Sequence, residues 1–128
     1  MRVRDLVGIG VACTIALASS VALAEGDVKK GKKVFNKCKA CHLIKDGKKS
    51  RGTGPNLFGV IGRKAAALDD FKYSSAMKES GLTWDEATLD KYLTKPKKLV
   101  PKTKMAFVGL KKEADRVNVI AYIMDMSK

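Results

Sequence analysis

The chain is poor in the residues that build most metal and dithiol sites. It contains one histidine and three cysteines among its 128 residues. A structural zinc site usually needs four Cys or His ligands, and a thioredoxin-type dithiol is expected in an alternating strand–helix setting that this sequence lacks. Cys13 lies in an N-terminal segment that we expect to be removed. The cysteines and histidine that remain are one ligand short of a zinc site.

Aromatic and acidic residues are also scarce. Phe, Trp and Tyr make up 6% of the chain and do not interleave with the lysines, as a stacking surface for nucleic acid requires. The chain has 26 basic against 13 acidic residues, a formal net charge of +13. This balance favours nucleic acid, an anionic membrane or an acidic protein face as partner. A mean hydropathy of -0.15 excludes a protein with several membrane spans.

The N-terminus has the features of a targeting segment. Two arginines precede an apolar stretch over residues 6–18, and an Ala-Leu-Ala site ends at Ala24. We therefore expect a cleavable signal peptide over residues 1–24 and one domain over residues 25–128. The alternative is a retained anchor, but the apolar run is short for a membrane span. A leader of this kind suits export to the bacterial periplasm.

The stretch Cys38-Lys39-Ala40-Cys41-His42 has the form C-x-x-C-H, which is typical of a c-type haem attachment site. Two thiols at this spacing can each bond one vinyl group of the same porphyrin. His42 is then held beneath the ring, where its imidazole can bind the iron. The competing interpretations are a dithiol redox centre and part of a zinc site.

The remaining sequence predicts helices separated by loops. Residues 83–94 begin with a capping box in which Thr83 is the N-cap and Glu86 the third helical residue. This helix is predicted to turn Leu89, Tyr92 and Leu93 inward. Apolar residues at helical spacing indicate buried faces on the first helix (Val28, Gly31, Phe35, Cys38) and the last (Val119, Tyr122, Ile123, Met126). The predicted helices span residues 27–39, 73–80, 83–94, one turn within 96–101, and 112–127.

Gly31 and Pro55 each allow two interpretations. A glycine in mid-helix costs about 1 kcal/mol relative to alanine, so Gly31 is explained either by close approach of another backbone or by simple tolerance. Pro55 is either a plain turn residue or the source of a carbonyl that accepts a hydrogen bond from a haem-ligating histidine.

Several motifs in register resemble the class I c-type cytochromes, close to the cytochrome c2 and mitochondrial type. The resemblance implies an all-α cytochrome c fold, with crossing N- and C-terminal helices and with shorter helices and loops wrapped around one covalently bound haem c. It covers essentially the whole of residues 25–128. The motifs are Gly31, Phe35, the C-x-x-C-H stretch, Gly54-Pro55-Asn56-Leu57, Gly62-Arg63, Tyr73, Gly81-Leu82-Thr83-Trp84, Tyr92-Leu93, Pro96-Lys97-Lys98, Pro101-Lys102-Thr103-Lys104-Met105-Ala106-Phe107 and Ala121-Tyr122.

The resemblance also assigns the site. It implies covalent attachment through Cys38 and Cys41 and axial ligation of the iron by His42 and Met105. Composition alone does not single out Met105 from the five methionines. The haem-environment residues implied are Pro55 behind His42, Tyr92 and Thr103 on the Met105 side, and Arg63, Tyr73 and Trp84 near the propionates.

One departure from the family pattern concerns Met77. It stands where the mitochondrial form usually has an asparagine in the hydrogen-bond network near the propionate. A second departure is a slightly longer loop over residues 45–51 that lacks a histidine. Neither departure affects the implied iron ligands.

The implied function is that of a soluble periplasmic carrier of single electrons, not an enzyme. Its donor would be a quinol-oxidising, bc1-type complex and its acceptor a terminal oxidase, a photosynthetic reaction centre or another reductase. The carrier is expected to be a monomer that meets acidic docking faces, with no specific nucleic acid and no stable membrane insertion. The alternatives are a haem enzyme with an open iron, such as a peroxidase, and a nucleic-acid-binding module. The lysines expected to meet the partner are Lys37, Lys39, Lys97, Lys98, Lys102, Lys104, Lys111 and Lys112.

Overall fold

The structure, a computed structural model, describes residues 25–128, so the predicted leader over residues 1–24 lies outside the described residues. Within this part of the chain the only paired extended backbone consists of two isolated β-bridges, and the prediction of an all-α fold is confirmed. The helices are α1 (Val28–Phe35), α2 (Ser75–Glu79), α3 (Glu86–Thr94), α4 (Pro96–Leu99) and α5 (Glu113–Asp125).

Helix α1 is shorter than the predicted helix over residues 27–39. The Asp27 side chain caps it by accepting a hydrogen bond from the Lys30 amide at 3.0 Å. After Phe35 the regular helical hydrogen bonds give way to turns, with the Cys38 amide bonded to the Phe35 carbonyl at 2.8 Å. The attachment motif therefore lies on consecutive turns beyond the helix. Val28, predicted to face inward, is 36% exposed, which corrects that assignment.

Helices α1 and α5 cross in direct contact. A Cβ atom on Gly31 would overlap the Asn118 carbonyl, so the close-approach interpretation of this glycine is confirmed. The rings of Phe35 and Tyr122 lie 5.2 Å apart between centroids, and Val119 is fully buried beside them. The crossing joins the two ends of the described chain across the core.

The buried face of α5 differs at one position from the prediction. Val119, Tyr122 and Ile123 are buried as predicted, and Ile120 joins them. Met126 is 40% exposed, so its predicted burial was wrong. The reason is that α5 ends at Asp125, and Met126 is the C-cap.

The start of α3 also differs from the prediction. Its N-cap is Asp85, whose side chain accepts a hydrogen bond from the Thr88 amide at 2.7 Å, so the capping box from Thr83 was wrong. Thr83 is instead held in an isolated bridge with Lys64. Hydrogen bonds beside this bridge, from the Trp84 amide to the Arg63 carbonyl and from the Ala65 amide to the Leu82 carbonyl, hold residues 82–84 extended, so the helix begins only after them.

The remaining helices frame one side of the cavity described below. The predicted inward face of α3, formed by Leu89, Tyr92 and Leu93, is buried. Pro96 begins α4, and the extended conformation of Lys95 separates it from α3, as predicted from the proline. Helix α2 is shorter than predicted: Ser74 caps it, and it ends before the positive-φ Gly81.

Candidate haem site

One mostly apolar cavity of about 270 Å³ lies among α3, α5 and the long loops. Every residue that the sequence analysis assigned to the haem or its iron lines this cavity, although they come from segments distant in the chain. Its predicted lining residues are Cys38, Cys41, His42, Pro55, Arg63, Tyr73, Trp84, Tyr92, Thr103 and Met105.

His42 is held by the loop that follows it. Its Nδ1 lies 2.7 Å from the carbonyl oxygen of Pro55. Because a carbonyl can only accept, Nδ1 carries the proton and donates, which leaves the Nε2 lone pair free to bind a metal ion. Burial lowers the pKa of His42, and the smaller effect of the bond to Pro55 opposes that shift. The neutral, ligating form of the imidazole is therefore favoured.

Gly54 is a site residue whose role sequence reasoning missed. A Cβ at this position would lie 2.8 Å from the Cε1 and Nδ1 atoms of His42 and 2.8 Å from the Cys41 carbonyl oxygen. The backbone of Gly54 therefore packs directly against the imidazole ring. The signal in the sequence was the Gly54-Pro55 pair, which had been interpreted only as turn chemistry and as part of a family motif.

The two cysteines of the motif both reach the cavity as free thiols. Cys38 is half-buried and Cys41 is exposed. Burial raises the pKa of Cys38, with a further contribution from Cys41. They sit one turn apart on the same stretch of backbone, since the Cys41 amide donates to the Cys38 carbonyl at 3.1 Å. This spacing presents two sulfur atoms along one side of the cavity.

Met105 approaches the cavity from a different segment, residues 103–107, called here the Met105 segment. Its first residue, Thr103, is buried, and its hydroxyl lies 2.8 Å from the hydroxyl of Tyr92 on α3. The same Thr103 oxygen accepts a hydrogen bond from the Met105 amide at 3.4 Å. These contacts tie the backbone of Met105 to α3.

Arg63, Tyr73 and Trp84 line the same cavity from the segment before α3. The guanidinium group of Arg63 donates to the Asn56 carbonyl at 2.9 Å and to the Phe58 carbonyl at 3.1 Å. Burial lowers the pKa of Arg63 and raises that of Tyr73. Arginine stays a cation at neutral pH despite this shift, and the raised pKa of Tyr73 favours its neutral hydroxyl group, so a cation and a hydrogen-bond donor line this part of the cavity.

Met77, the departure from the family pattern, also lines the cavity. It is buried at 8% exposure on α2. Its thioether makes this part of the wall apolar. Other apolar residues of the wall were not assigned by sequence reasoning, because their patterns indicate a core as readily as a ligand site. They are Leu57, Val60, Phe71, Leu89, Leu93, Phe107, Val119 and Ile123.

All eight lysines proposed for docking are exposed. Lys37 and Lys104 also contribute to the cavity lining. Lys104 differs from the others because its ammonium group is engaged: Nζ lies 2.6 Å from the carbonyl oxygen of Lys72 and 5.3 Å from the centroid of the Phe71 ring.

The donor set fits a covalently attached haem. An apolar cavity lined by two thiols, an imidazole with Nε2 free and a thioether from another segment has the groups that thioether attachment and His/Met ligation need. The fold and this cavity together define a small all-α protein of the haem-binding, electron-transferring class.

Comparison with known proteins extends this assignment. The family model for cytochrome c matches residues 28–127. Cytochrome c2 of Rhodomicrobium vannielii is 55% identical over 105 residues, covering 82% of this chain and 83% of the relative. Cytochrome c2 of Rhodoblastus acidophilus is 57% identical over 98 residues, covering 77% and 91%. The solved structure of cytochrome cH from Methylobacterium extorquens shares 46% identity with a TM-score of 0.73, covering 78% of this chain and 99% of that one.

The chain belongs to the cytochrome c family. It is an electron-transfer protein rather than an enzyme, and its cofactor is one covalently attached haem c, with Cys38 and Cys41 at the spacing of the attachment motif. These findings confirm the predicted family, fold and cofactor. Across residues 25–128, no helix combines the length and apolar character that a membrane span needs.

Proposed function

We propose that this protein is a soluble, monomeric periplasmic carrier of single electrons whose haem iron is ligated by His42 and Met105. It would move electrons from a quinol-oxidising, bc1-type complex to a terminal oxidase, a photosynthetic reaction centre or another reductase. The proposal rests on the arrangement of side chains around the cavity. An imidazole fixed on Pro55 enters it from one segment, and a thioether tied to α3 enters it from another.

Cys38 and Cys41 hold the cofactor in this proposal. Their thiols would hold the haem through thioether links, so the cofactor would not be lost when the carrier meets and leaves its partners. When bound, the haem supplies one-electron exchange at its iron. The rest of the site belongs to the chain, because the Pro55 carbonyl orients His42 and the apolar wall excludes water.

Met105 supplies the second axial ligand in this proposal. A soft, neutral sulfur suits an iron that cycles between two oxidation states, and it raises the reduction potential. With His42 and Met105 both holding the iron, the chain itself would occupy the places where oxygen or peroxide could otherwise bind. Arg63, Tyr73 and Trp84 are the proposed partners of the propionates, since a cation and a neutral hydroxyl group face the cavity there.

The exposed lysines supply the docking face. Seven of them are proposed to steer an acidic partner to the cavity mouth, namely Lys37, Lys39, Lys97, Lys98, Lys102, Lys111 and Lys112. A face of one charge raises the rate of encounter at low salt and loses that effect as salt rises. A carrier that must also dissociate is expected to use a small, weak interface.

The ligation is tested by comparing two methionine variants of the purified holoprotein. Met105→Leu should abolish the weak charge-transfer band at the red edge of the oxidised spectrum, which reports sulfur–iron bonding. Met126→Leu is the matched control, because Met126 is 40% exposed and outside the cavity lining. Retention of the band in Met105→Leu would exclude Met105 as the ligand.

The docking face is tested with two small redox reagents of opposite charge. The rate of electron exchange with anionic hexacyanoferrate(III) should fall as ionic strength rises, and the rate with a cationic tris(phenanthroline) cobalt(III) complex should rise. Equal salt dependence for both reagents would contradict a positive face at the haem edge.

Export and cleavage after Ala24, proposed from residues 1–24, are tested by the mass of the protein recovered from the periplasm.

A further inference from the structure

The exposed carboxylate of Asp70 is fixed by two hydrogen bonds to one residue of a distant loop. The Ser50 amide donates to its Oδ2 atom at 2.8 Å, and the Ser50 hydroxyl group donates to its Oδ1 atom at 2.7 Å. The two residues are 20 positions apart in the chain. Because hydrogen bonds to an ionised oxygen are stronger than neutral ones, engagement of both oxygen atoms gives this surface carboxylate a defined position.

The hydrogen bonds continue from Ser50 to the wall of the cavity. The Ser50 hydroxyl oxygen also accepts a hydrogen bond from the Asn56 amide at 2.9 Å. Asn56 is buried, and its carbonyl oxygen accepts a hydrogen bond from the guanidinium group of Arg63 at 2.9 Å. Arg63 in turn lines the cavity. A continuous series of contacts therefore connects Asp70 at the surface with a cation in the cavity wall.

The charge of Asp70 also acts on the two polar residues assigned to the propionates. The bonds from the Ser50 amide and hydroxyl group lower the pKa of Asp70 from its ordinary value of 3.8, and the Lys49 charge adds to that shift. Asp70 is therefore a carboxylate at neutral pH. Burial lowers the pKa of Arg63, and the Asp70 carboxylate opposes that shift in part. Burial raises the pKa of Tyr73, and the same carboxylate adds to that shift.

Asp69 offers a comparison within the chain, because it brings the same charge one position earlier. It is exposed, as Asp70 is. Its side chain forms no hydrogen bond or ion pair with another residue between 25 and 128, whereas both oxygen atoms of Asp70 are engaged. Position in the fold, rather than charge alone, therefore distinguishes Asp70.

We infer that Asp70 is a positioning residue of the haem site, whose fixed negative charge offsets part of the Arg63 charge and so lowers the reduction potential of the protein. The inference rests on the proposed placement of the propionates beside Arg63 and Tyr73. An anion near the site opposes the addition of an electron, because reduction makes the site more negative. Since Asp70 is exposed, solvent and salt screen this effect and keep it small.

Equilibration of the holoprotein with the hexacyanoferrate couple tests the charge. Asp70→Asn removes the charge but keeps an acceptor for the Ser50 bonds. Relative to the parent protein, the equilibrium constant for reduction should rise about twofold to threefold at low salt, the Coulomb effect of one screened charge. The rise should shrink as ionic strength increases. Asp69→Asn is the matched control, which removes one exposed charge without these contacts and should leave the constant nearly unchanged.

Hydrogen–deuterium exchange tests the contact that fixes the carboxylate. Ser50→Ala removes the hydroxyl group that donates to Asp70 and accepts from the Asn56 amide. That amide should exchange about threefold to tenfold faster, the effect of losing one such bond. The equilibrium constant should rise less in Ser50→Ala than in Asp70→Asn, because the carboxylate itself remains. Exchange of the Asn56 amide should be nearly unchanged in Asp70→Asn, which retains the hydroxyl group.

The inference is overturned if Asp70→Asn leaves the equilibrium constant unchanged or lowers it, if its effect does not shrink as salt rises, or if Asp69→Asn has the same effect. Unchanged exchange of the Asn56 amide in Ser50→Ala would equally overturn it. The proposed ligation is judged separately, by the charge-transfer band of the parent protein. Absence of that band would count against Met105 as the ligand, and it would leave the comparison of Asp70 with Asp69 intact.

Discussion

The two walls of the haem cavity are held in different ways. The His42 wall is fixed by backbone: Gly54 packs against the imidazole ring, and the Pro55 carbonyl accepts a hydrogen bond from its Nδ1–H group. The Met105 wall is fixed by side chains, through the Tyr92–Thr103 hydroxyl pair and the hydrogen bond from Lys104 to the Lys72 carbonyl. Backbone contacts leave little room for adjustment, while side-chain bonds can open one at a time. A single substitution in the His42 wall should therefore cause a large loss of stability. The Met105 wall should lose stability in smaller steps, as its side-chain bonds are removed one at a time.

Substitution of Gly54 should have the largest effect. In Gly54→Ala the added Cβ would lie 2.8 Å from the His42 ring and the Cys41 carbonyl, and relief requires backbone movement that costs about 3 kcal/mol. We expect a large loss of holoprotein yield and of the free energy of unfolding, measured by haem absorbance and denaturant titration. Gly52→Ala is the control, because a Cβ there meets no atom within 4 Å. If both variants have the same holoprotein yield and the same free energy of unfolding, the hypothesis of a rigid His42 wall is contradicted.

Breaking the hydroxyl pair on the Met105 wall should have an intermediate effect. Tyr92→Phe and Thr103→Val each remove one partner of the 2.8 Å bond and leave the other buried, which costs about 1–3 kcal/mol. The double variant should cost less than the sum of the two, because it leaves no unpaired hydroxyl group. Denaturant titration measures the loss of stability, and loss of the charge-transfer band at the red edge of the oxidised spectrum measures the weakening of the Met105 contact with the iron. Strict additivity of the single changes would contradict a direct bond.

A substitution at Lys102 should strengthen the Met105 wall. The Thr103 amide bonds to the Val100 carbonyl at 3.1 Å across Pro101 and Lys102, and Lys102 has φ 66°, a conformation that favours glycine. Lys102→Gly should stabilise the protein by up to about 1 kcal/mol and slow hydrogen exchange in the Met105 segment. Ala66→Gly, at φ 59°, is the control away from that segment. Equal slowing of the Met105 segment by both variants would refute a local effect.

The smallest effect concerns the cap of α1, the helix that leads into the His42 wall. The bond from the Lys30 amide lowers the pKa of Asp27 below its ordinary value of 3.8. A carboxylate with a lowered pKa stabilises the native state above its unfolded pKa, and this stabilisation is lost as pH falls through the native value. Asp27→Ala should therefore cost stability at pH 6 to 7 and little near pH 2, by denaturant titration. Asp27→Asn keeps a capping group without the charge, so its stability difference from Asp27→Ala should vary little with pH.

The sequence predicted the fold and the family because several motifs occur in register. The C-x-x-C-H stretch can be recognised without knowledge of the fold, because its chemistry depends only on residues close together in the chain. Met105 was implied only by the resemblance to the family. The same local reasoning placed the cap of α3 at Thr83, because it could not see that hydrogen bonds to residues 63–65 hold residues 82–84 extended. It likewise placed Met126 on a buried face, because a periodic pattern does not show where a helix ends.

Contacts between distant segments were beyond local reasoning. The approach of Gly54 to the His42 ring depends on how a loop of 12 residues folds back onto the motif that precedes it. The bond from Lys104 to Lys72 depends on two loops meeting at the cavity mouth. Lys104, beside Met105, is predicted as a docking residue because charge alone indicates a solvated surface. Only the fold shows that its ammonium group has a partner within the chain.

The crossing of α1 with α5 has a consequence for how the cavity is closed. Val119 and Ile123 of α5 line the cavity, and α5 is seated against α1 where the Asn118 backbone meets Gly31. One side of the cavity therefore exists only while two helices from distant parts of the sequence are docked on each other. Any substitution that separates them should open the cofactor pocket to solvent even if every residue that binds the cofactor is retained.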